Sequence, residues 1–296
     1  MSHKTILQTI GDTPFVALNR YSPNLQVTIL AKLEGSNPSG SVKDRVALSM
    51  MLDAQKRGLL NMNKIIMEPT SGNTGIGIAM IAAILGHKFL AVMPASVSIE
   101  RRKLLTAYGA DLHLTDGKGG TNYAIEVARA MIKENPEKYV MLDQFENAAN
   151  SAAHYETTGF EIMRDIPEIT HFVAGMGTGG TLMGVGRRLK EYNKSIAVIG
   201  VEPKPGSTIQ GLRNMTAYNP PIFKKETLDR TISIDDDEIA FSLARDLFKK
   251  EGISVGMSSG AALFGAIQVA NELKSGVVVT LFPDRADKYV HTKLFE

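Results

Sequence analysis

The feature that most constrains this chain is an alternation of short apolar runs with longer helical patterns along almost its whole length. Val27–Leu33, Lys64–Glu68, Phe89–Met93, Asp111–Leu114, Tyr139–Leu142, His171–Ala174, Ile196–Val201 and Val277–Phe282 read as strands. Most are continuously apolar rather than alternating, as strands are when helices cover both faces. Helical patterns fill the gaps at Val42–Lys56, Gly75–Leu85, Ile99–Tyr108, Asn122–Lys133, Leu182–Tyr192 and Glu238–Lys250. Parallel strands need crossovers of helix length, so the alternation predicts an α/β protein with mainly parallel sheets flanked by helices. The units fall into two clusters, over about 40–145 and 150–290, which divide near Asn147–Ser151.

With 296 residues, either two ordinary domains or one large one can bury a full core. The 33 basic and 31 acidic residues nearly cancel, so nothing pulls the chain towards nucleic acid. The absence of cysteine excludes disulfides, Cys-ligated metal and a cysteine nucleophile, and it suits a reducing compartment. Met1–Ile10 lacks the apolar core of a signal peptide, and Ile76–Leu85 is too short to cross a bilayer. A cytoplasmic protein without a membrane span is expected. The acids Asp235–Asp237 read as the start of a helix. Pro203–Asn219 is an irregular stretch of the length that often carries function.

The chemistry-bearing residues concentrate in loops. The six histidines show no metal-ligand spacing, and Asp111 with His113 reads as a surface pair on a strand, so no metal site is expected. The pattern G-x-x-x-x-G-K-[ST] does not occur. Gly175–Thr181, by contrast, joins a strand to a helix through a glycine-rich turn, where backbone amides and the helix N-terminus suit a phosphate. Gly175, Gly177 and Gly180 also satisfy G-x-G-x-x-G, and Glu202 ends the next strand, so a nicotinamide oxidoreductase stands as one reading. The first half of the chain fits that reading poorly. Lys43 is brought to a helix start through a hydroxyl-rich turn, where the helix dipole and burial would lower its pKa and favour Schiff-base chemistry. Thr70–Gly75 crowds hydroxyl and amide groups at the start of another helix, more than capping needs, and suits a carboxylate. Gly256–Ala262 again sets serines at a helix start.

Together these loops resemble the pyridoxal-phosphate (PLP) dependent β-replacement enzymes of the cysteine synthase and cystathionine β-synthase family. Ile10–Pro14, Gly40–Arg45, Thr70–Gly75, Gly177–Thr181 and Ser258–Gly260 match its motifs in family order. Ser98–Arg102, Asp143–Phe145, His154–Gly159 and Asp284–Tyr289 are similar to the B-type cysteine synthase subgroup, except that Ala286 replaces the usual Gly.

The resemblance implies a fold of the tryptophan synthase β type with two domains. Residues 40–145 would form a smaller, mobile domain, and 1–39 with 146–296 a larger one that binds the PLP phosphate. Lys43 would form the Schiff base with PLP and serve as base. Asn73 would meet the cofactor's phenolic oxygen and Ser258 its pyridine nitrogen, while Gly177, Thr178, Gly179, Gly180 and Thr181 would hold the phosphate. Thr70, Ser71, Asn73 and Thr74, with Gln144, would clamp the substrate carboxylate. The implied reaction eliminates acetate from O-acetyl-L-serine to leave an aminoacrylate, and sulfide then adds to give cysteine. Arg213 and Arg285 are expected at the mouth of the site, where an arginine favours thiosulfate as donor and S-sulfocysteine as product. Serine or O-phosphoserine with another thiol remains the nearest alternative. A homodimer is the family's usual assembly.

Overall fold

The computed structural model describes residues 3–296 and contains two sheets. In chain order the elements are β1 (Phe15–Ala17), β2 (Val27–Leu33), α1 (Lys43–Lys56), β3 (Ile65–Pro69), α2 (Asn73–Leu85), β4 (Phe89–Pro94) and α3 (Ile99–Ala107). They continue with β5 (Asp111–Thr115), α4 (Gly120–Glu134), β6 (Tyr139–Met141), α5 (Ala148–Ala153), α6 (Gly159–Asp165), β7 (His171–Gly175) and α7 (Gly180–Tyr192). The last are β8 (Ala197–Pro203), β9 (Arg230–Ile234), α8 (Asp237–Asp246), α9 (Met257–Glu272) and β10 (Gly276–Phe282).

One sheet has the order β1-β2-β10-β7-β8-β9 and is parallel except for β1, which pairs antiparallel with β2. The other, β5-β4-β3-β6, is wholly parallel. The α/β class read from the sequence is the observed one. The central strands are buried on both faces: Val278 and Val279 of β10 are 0% exposed, as are Phe172 and Val173 of β7. Two edge strands escaped the sequence reading. β1 spans three residues, and β9 alternates exposed with buried positions as an edge strand does.

Asn147–Ser151, near which the sequence divides into two clusters, opens a helix. Asn147 caps α5 by accepting the Ala149 N–H, and α5 runs through a π-helical turn at His154–Thr158 into α6. Asn150, Ser151, Thr157 and Thr158 are weak helix formers, and packing overrides them. The acids at 235–237 behave as expected, with Asp236 capping α8.

A buried charge network pins the segment around Gly11–Thr13 behind α1. Arg45 pairs with Glu34 (Nε–Oε2 2.8 Å) and with Glu161 (Nη1–Oε1 2.5 Å), and Lys32 pairs with Glu161 at 2.7 Å. Thr13 Oγ1 donates to Glu34, and the Asp12 N–H donates to Glu161. Two cations against two carboxylates, each further hydrogen-bonded, is the condition under which buried ions are tolerated. The Ile10–Pro14 motif is therefore a fastening rather than part of a cavity wall.

Parallel strands gather their carboxyl ends on one edge, where ligands bind in such folds. The loop carrying Thr70 follows β3, Gln144 lies three residues beyond β6, Gly177 follows β7, Arg213 follows β8 and Asp284 follows β10. The long connection after β2 leads to Lys43.

Candidate active site

A cavity of about 680 Å³ opens where these strand ends meet, and a compartment of about 60 Å³ adjoins it. Lys43, Asn73, Gly177 and Thr178 line both. Thr70, Ser71, Thr74, Gln144 and Arg213 line the larger, and Gly179, Thr181 and Ser258 the smaller. Gly180 lines neither; it is buried as the first residue of α7. Arg285, expected at the mouth, lines neither as well. Its side chain packs over Gly35 and Gly40 and faces Asp287, because β10 ends at Phe282 and the chain turns at once into a short 3₁₀ helix. The cation that this segment does contribute is Lys288.

Lys43 is the first residue of α1, and its loop is fastened by the Val42 N–H to Pro283 C=O bond and by a bridge between Ser41 and Asp284. Burial pushes the Lys43 ammonium below its ordinary value, and the nearby Asp284 carboxylate opposes this only in part. A lysine so placed can be an uncharged amine. The turn before α7 requires glycine at Gly179, where φ is +86° and a Cβ would lie 2.6 Å from the Phe223 ring. A Cβ on Gly177 would lie 2.5 Å from the Gly211 carbonyl oxygen. Only bare backbone fits, and it leaves the N-terminus of a 13-residue helix open to an anion.

The N-terminus of α2 is likewise uncapped by any side chain. Thr70, Ser71 and Thr74 are thus not spent on capping, and Thr74 Oγ1 instead donates to Gln144 Oε1 at 2.6 Å. Asn73 is held on both sides: its Nδ2 donates to Asp284, and its Oδ1 accepts from Lys288 Nζ at 2.9 Å. Arg213 lies over the rings of Phe145 (4.7 Å) and Tyr218 (5.3 Å), and burial disfavours its charge with no carboxylate opposing the effect. Arg101 and Lys288 also line the larger cavity, as do the acids Glu100 and Asp287.

The nicotinamide reading fails at Glu202. Its Oε1 accepts the Met215 N–H at 2.6 Å, anchoring the irregular stretch after β8, rather than standing free for a ribose. Pyridoxal phosphate, in contrast, has its needs met within one space: an amine for its aldehyde, a glycine cradle for its phosphate and the Ser258 hydroxyl for its ring. A family profile described as "Pyridoxal-phosphate dependent enzyme" matches residues 6–284. The chain belongs to this family. It is 51% identical to a cysteine synthase of Aquifex aeolicus, over 99% of this chain and 93% of that protein. It is 45% identical to cysteine synthase B of Salmonella typhimurium, over 98% and 96%. The crystal structure of O-acetyl serine sulfhydrylase isoform 3 from Entamoeba histolytica superposes with a TM-score of 0.94 at 38% identity, covering 100% of this chain and 92% of that one.

Two polar side chains that hold site residues carry no signal of their own in the sequence. Glu68, the one acid in an apolar strand, accepts the Asp143 and Gln144 N–H groups, and Asn150 lies in α5. Only the neighbouring motifs could have drawn attention to them. Lys288 lies inside the Asp284–Tyr289 motif, which by itself assigns it no role.

Proposed function

We propose that the chain is a PLP-dependent cysteine synthase that replaces the acetoxy group of O-acetyl-L-serine with sulfide, giving L-cysteine and acetate. The observation that carries this reading is the placing of a charge-depressed lysine, Lys43, between a glycine anion cradle and an uncapped helix N-terminus. The full-length likeness to proteins named cysteine synthase supports it.

Pyridoxal phosphate, when bound, supplies the electron sink that makes the substrate's Cα proton acidic and its β-substituent able to leave. The roles of the chain follow from position. The amides of Gly177–Thr181 and the dipole of α7 hold the phosphate dianion. The open N-terminus of α2, with Thr70, Ser71, Asn73, Thr74 and Gln144, takes the α-carboxylate. Lys43 Nζ would accept the Cα proton, because burial lowers its pKa and favours the uncharged amine. Ser258 would offer the ring nitrogen a neutral hydrogen bond and no negative charge. Residues 40–145 act as the smaller unit that closes over the substrate and keeps water off the reacting carbon.

Arg213 favours a larger anionic sulfur donor such as thiosulfate, because an arginine with no carboxylate partner gains most from an incoming anion. Arg101, Arg213 and Lys288 in the cavity wall favour one second reading, O-phosphoserine in place of O-acetylserine. We take the enzyme to be a cytoplasmic homodimer.

The purified protein should be yellow, and borohydride should bleach it and fix the label on the peptide holding Lys43. Product analysis with O-acetylserine, O-phosphoserine and serine, each with sulfide, tests the reaction. A labelled lysine other than Lys43, or turnover of serine alone, would sink the reading.

A further inference from the structure

Asn150, in α5, is 1% exposed and makes two side-chain hydrogen bonds that span the site. Its Nδ2 donates to the Gln144 carbonyl oxygen at 2.7 Å and to Thr178 Oγ1 at 3.0 Å. A carbonyl oxygen cannot donate, so the bond to Gln144 settles which end of the amide is nitrogen. Thr178 Oγ1 accepts a second N–H, from Gly180 at 3.4 Å. A hydroxyl has two lone pairs and one proton. With both lone pairs engaged, Thr178 faces the cavity as a donor only.

Gln144 is held equally closely. Its own N–H donates to Glu68 Oε1 at 3.1 Å, its carbonyl accepts from Asn150, and its side chain accepts from Thr74. Space around the Asn150 amide is exhausted: a Cβ on Gly180 would lie 1.9 Å from its Oδ1. The amide therefore sits against the first turn of α7, between the glycine loop and the Gln144 peptide.

We propose that Asn150 is a positioning residue that couples the phosphate cradle to the substrate-carboxylate clamp. It turns the Thr178 hydroxyl towards the phosphate and fixes the Gln144 peptide with the same NH₂ group. The inference rests on the roles given above to Thr178 and Gln144. It means that phosphate binding and amino-acid binding share one buried joint, so that loosening either loosens the other.

The test uses the holoenzyme with two readouts other than turnover. One is the cofactor phosphate, followed by equilibrium dialysis of PLP and by its ³¹P resonance. The other is the affinity for L-serine, followed by the change in the cofactor's absorbance. Asn150→Asp keeps the shape and removes the NH₂ donor, so both PLP retention and L-serine affinity should fall, each by about tenfold. Loss of only one, or of neither, overturns the coupling. Should Asn150→Asp not fold, Thr178→Val decides the matter: it should weaken L-serine binding, and an unchanged affinity overturns the proposal. If Gln144→Ala leaves L-serine affinity intact, the clamp reading fails instead, since that variant keeps the peptide carbonyl that Asn150 holds.

Discussion

Asn73 Nδ2 donates a 2.6 Å hydrogen bond to Asp284 Oδ2, joining the start of α2 to the segment after β10 across 211 positions of sequence. Tyr289 donates to the same oxygen, and Lys288 donates to the other end of the Asn73 amide. Asp284 also forms the bridge to Ser41, two residues before Lys43. The loop that presents the lysine, the loop proposed to bind substrate and the C-terminal segment thus meet at one buried residue, Asp284. Burial raises the pKa of Asp284 despite these donors. Its hydrogen-bonded partners, rather than a paired cation, keep it in place.

The hydroxyl at Ser258 should contribute a single neutral hydrogen bond to the cofactor ring. Ser258→Ala should retain PLP and lose only about 2- to 13-fold in activity, the equivalent of about 0.5–1.5 kcal/mol. Dialysis followed by absorbance measures retention. A variant that emerges colourless would show that Ser258 holds the fold of the site instead.

Removing Arg213 should separate the two sulfur donors. Arg213→Ala should cost about 1.5–3 kcal/mol, about 10- to 150-fold, in kcat/KM for thiosulfate. Sulfide, too small to need a clamp, should be used almost as well as before. Parallel losses for both donors would place Arg213 in the support of Phe145 and Tyr218, over whose rings it lies.

Glu68 should make stability fall as pH rises towards neutrality. Burial raises its carboxyl to about 7 in the folded protein, against an ordinary value of 4.5. Between these values the folded state holds a proton that the unfolded state has released, so each step up in pH favours unfolding. Glu68→Gln removes that term. Urea melts at pH 5 and pH 8 should show the variant gaining on the parent protein at the higher pH, and an unchanged difference would contradict the shift.

The Arg45 network predicts the opposite behaviour in acid. Glu161 is held at about 2 by its hydrogen bonds and charge pairing with Arg45 and Lys32, despite burial. Its contribution is present above the ordinary 4.5 and is lost as pH falls from there towards 2. Arg45→Leu leaves Glu34 and Glu161 short of a partner and should cost about 3–5 kcal/mol at pH 7. The loss should shrink as the carboxylates protonate, which denaturation at pH 3 and pH 7 would reveal.

What the sequence determined by itself is local in origin. Strand–helix alternation is a matter of period over ten or so residues, and it was enough to specify an α/β protein with parallel sheets. Continuous apolar runs such as Val277–Phe282 announced strands covered on both faces, and the hydroxyl- and glycine-rich loops at Thr70–Gly75 and Gly177–Thr181 announced open helix starts. Period is silent about pairing at a distance. Arg45 with Glu161 is separated by 116 positions, and Asn73 with Asp284 by 211. Only the packed chain could decide that Lys288 rather than Arg285 faces the cavity, that Glu202 anchors a loop, and that Asn147–Ser151 enters a helix. A polar group taken out of water must find its partner wherever the fold has brought one, and neighbours in sequence rarely supply it.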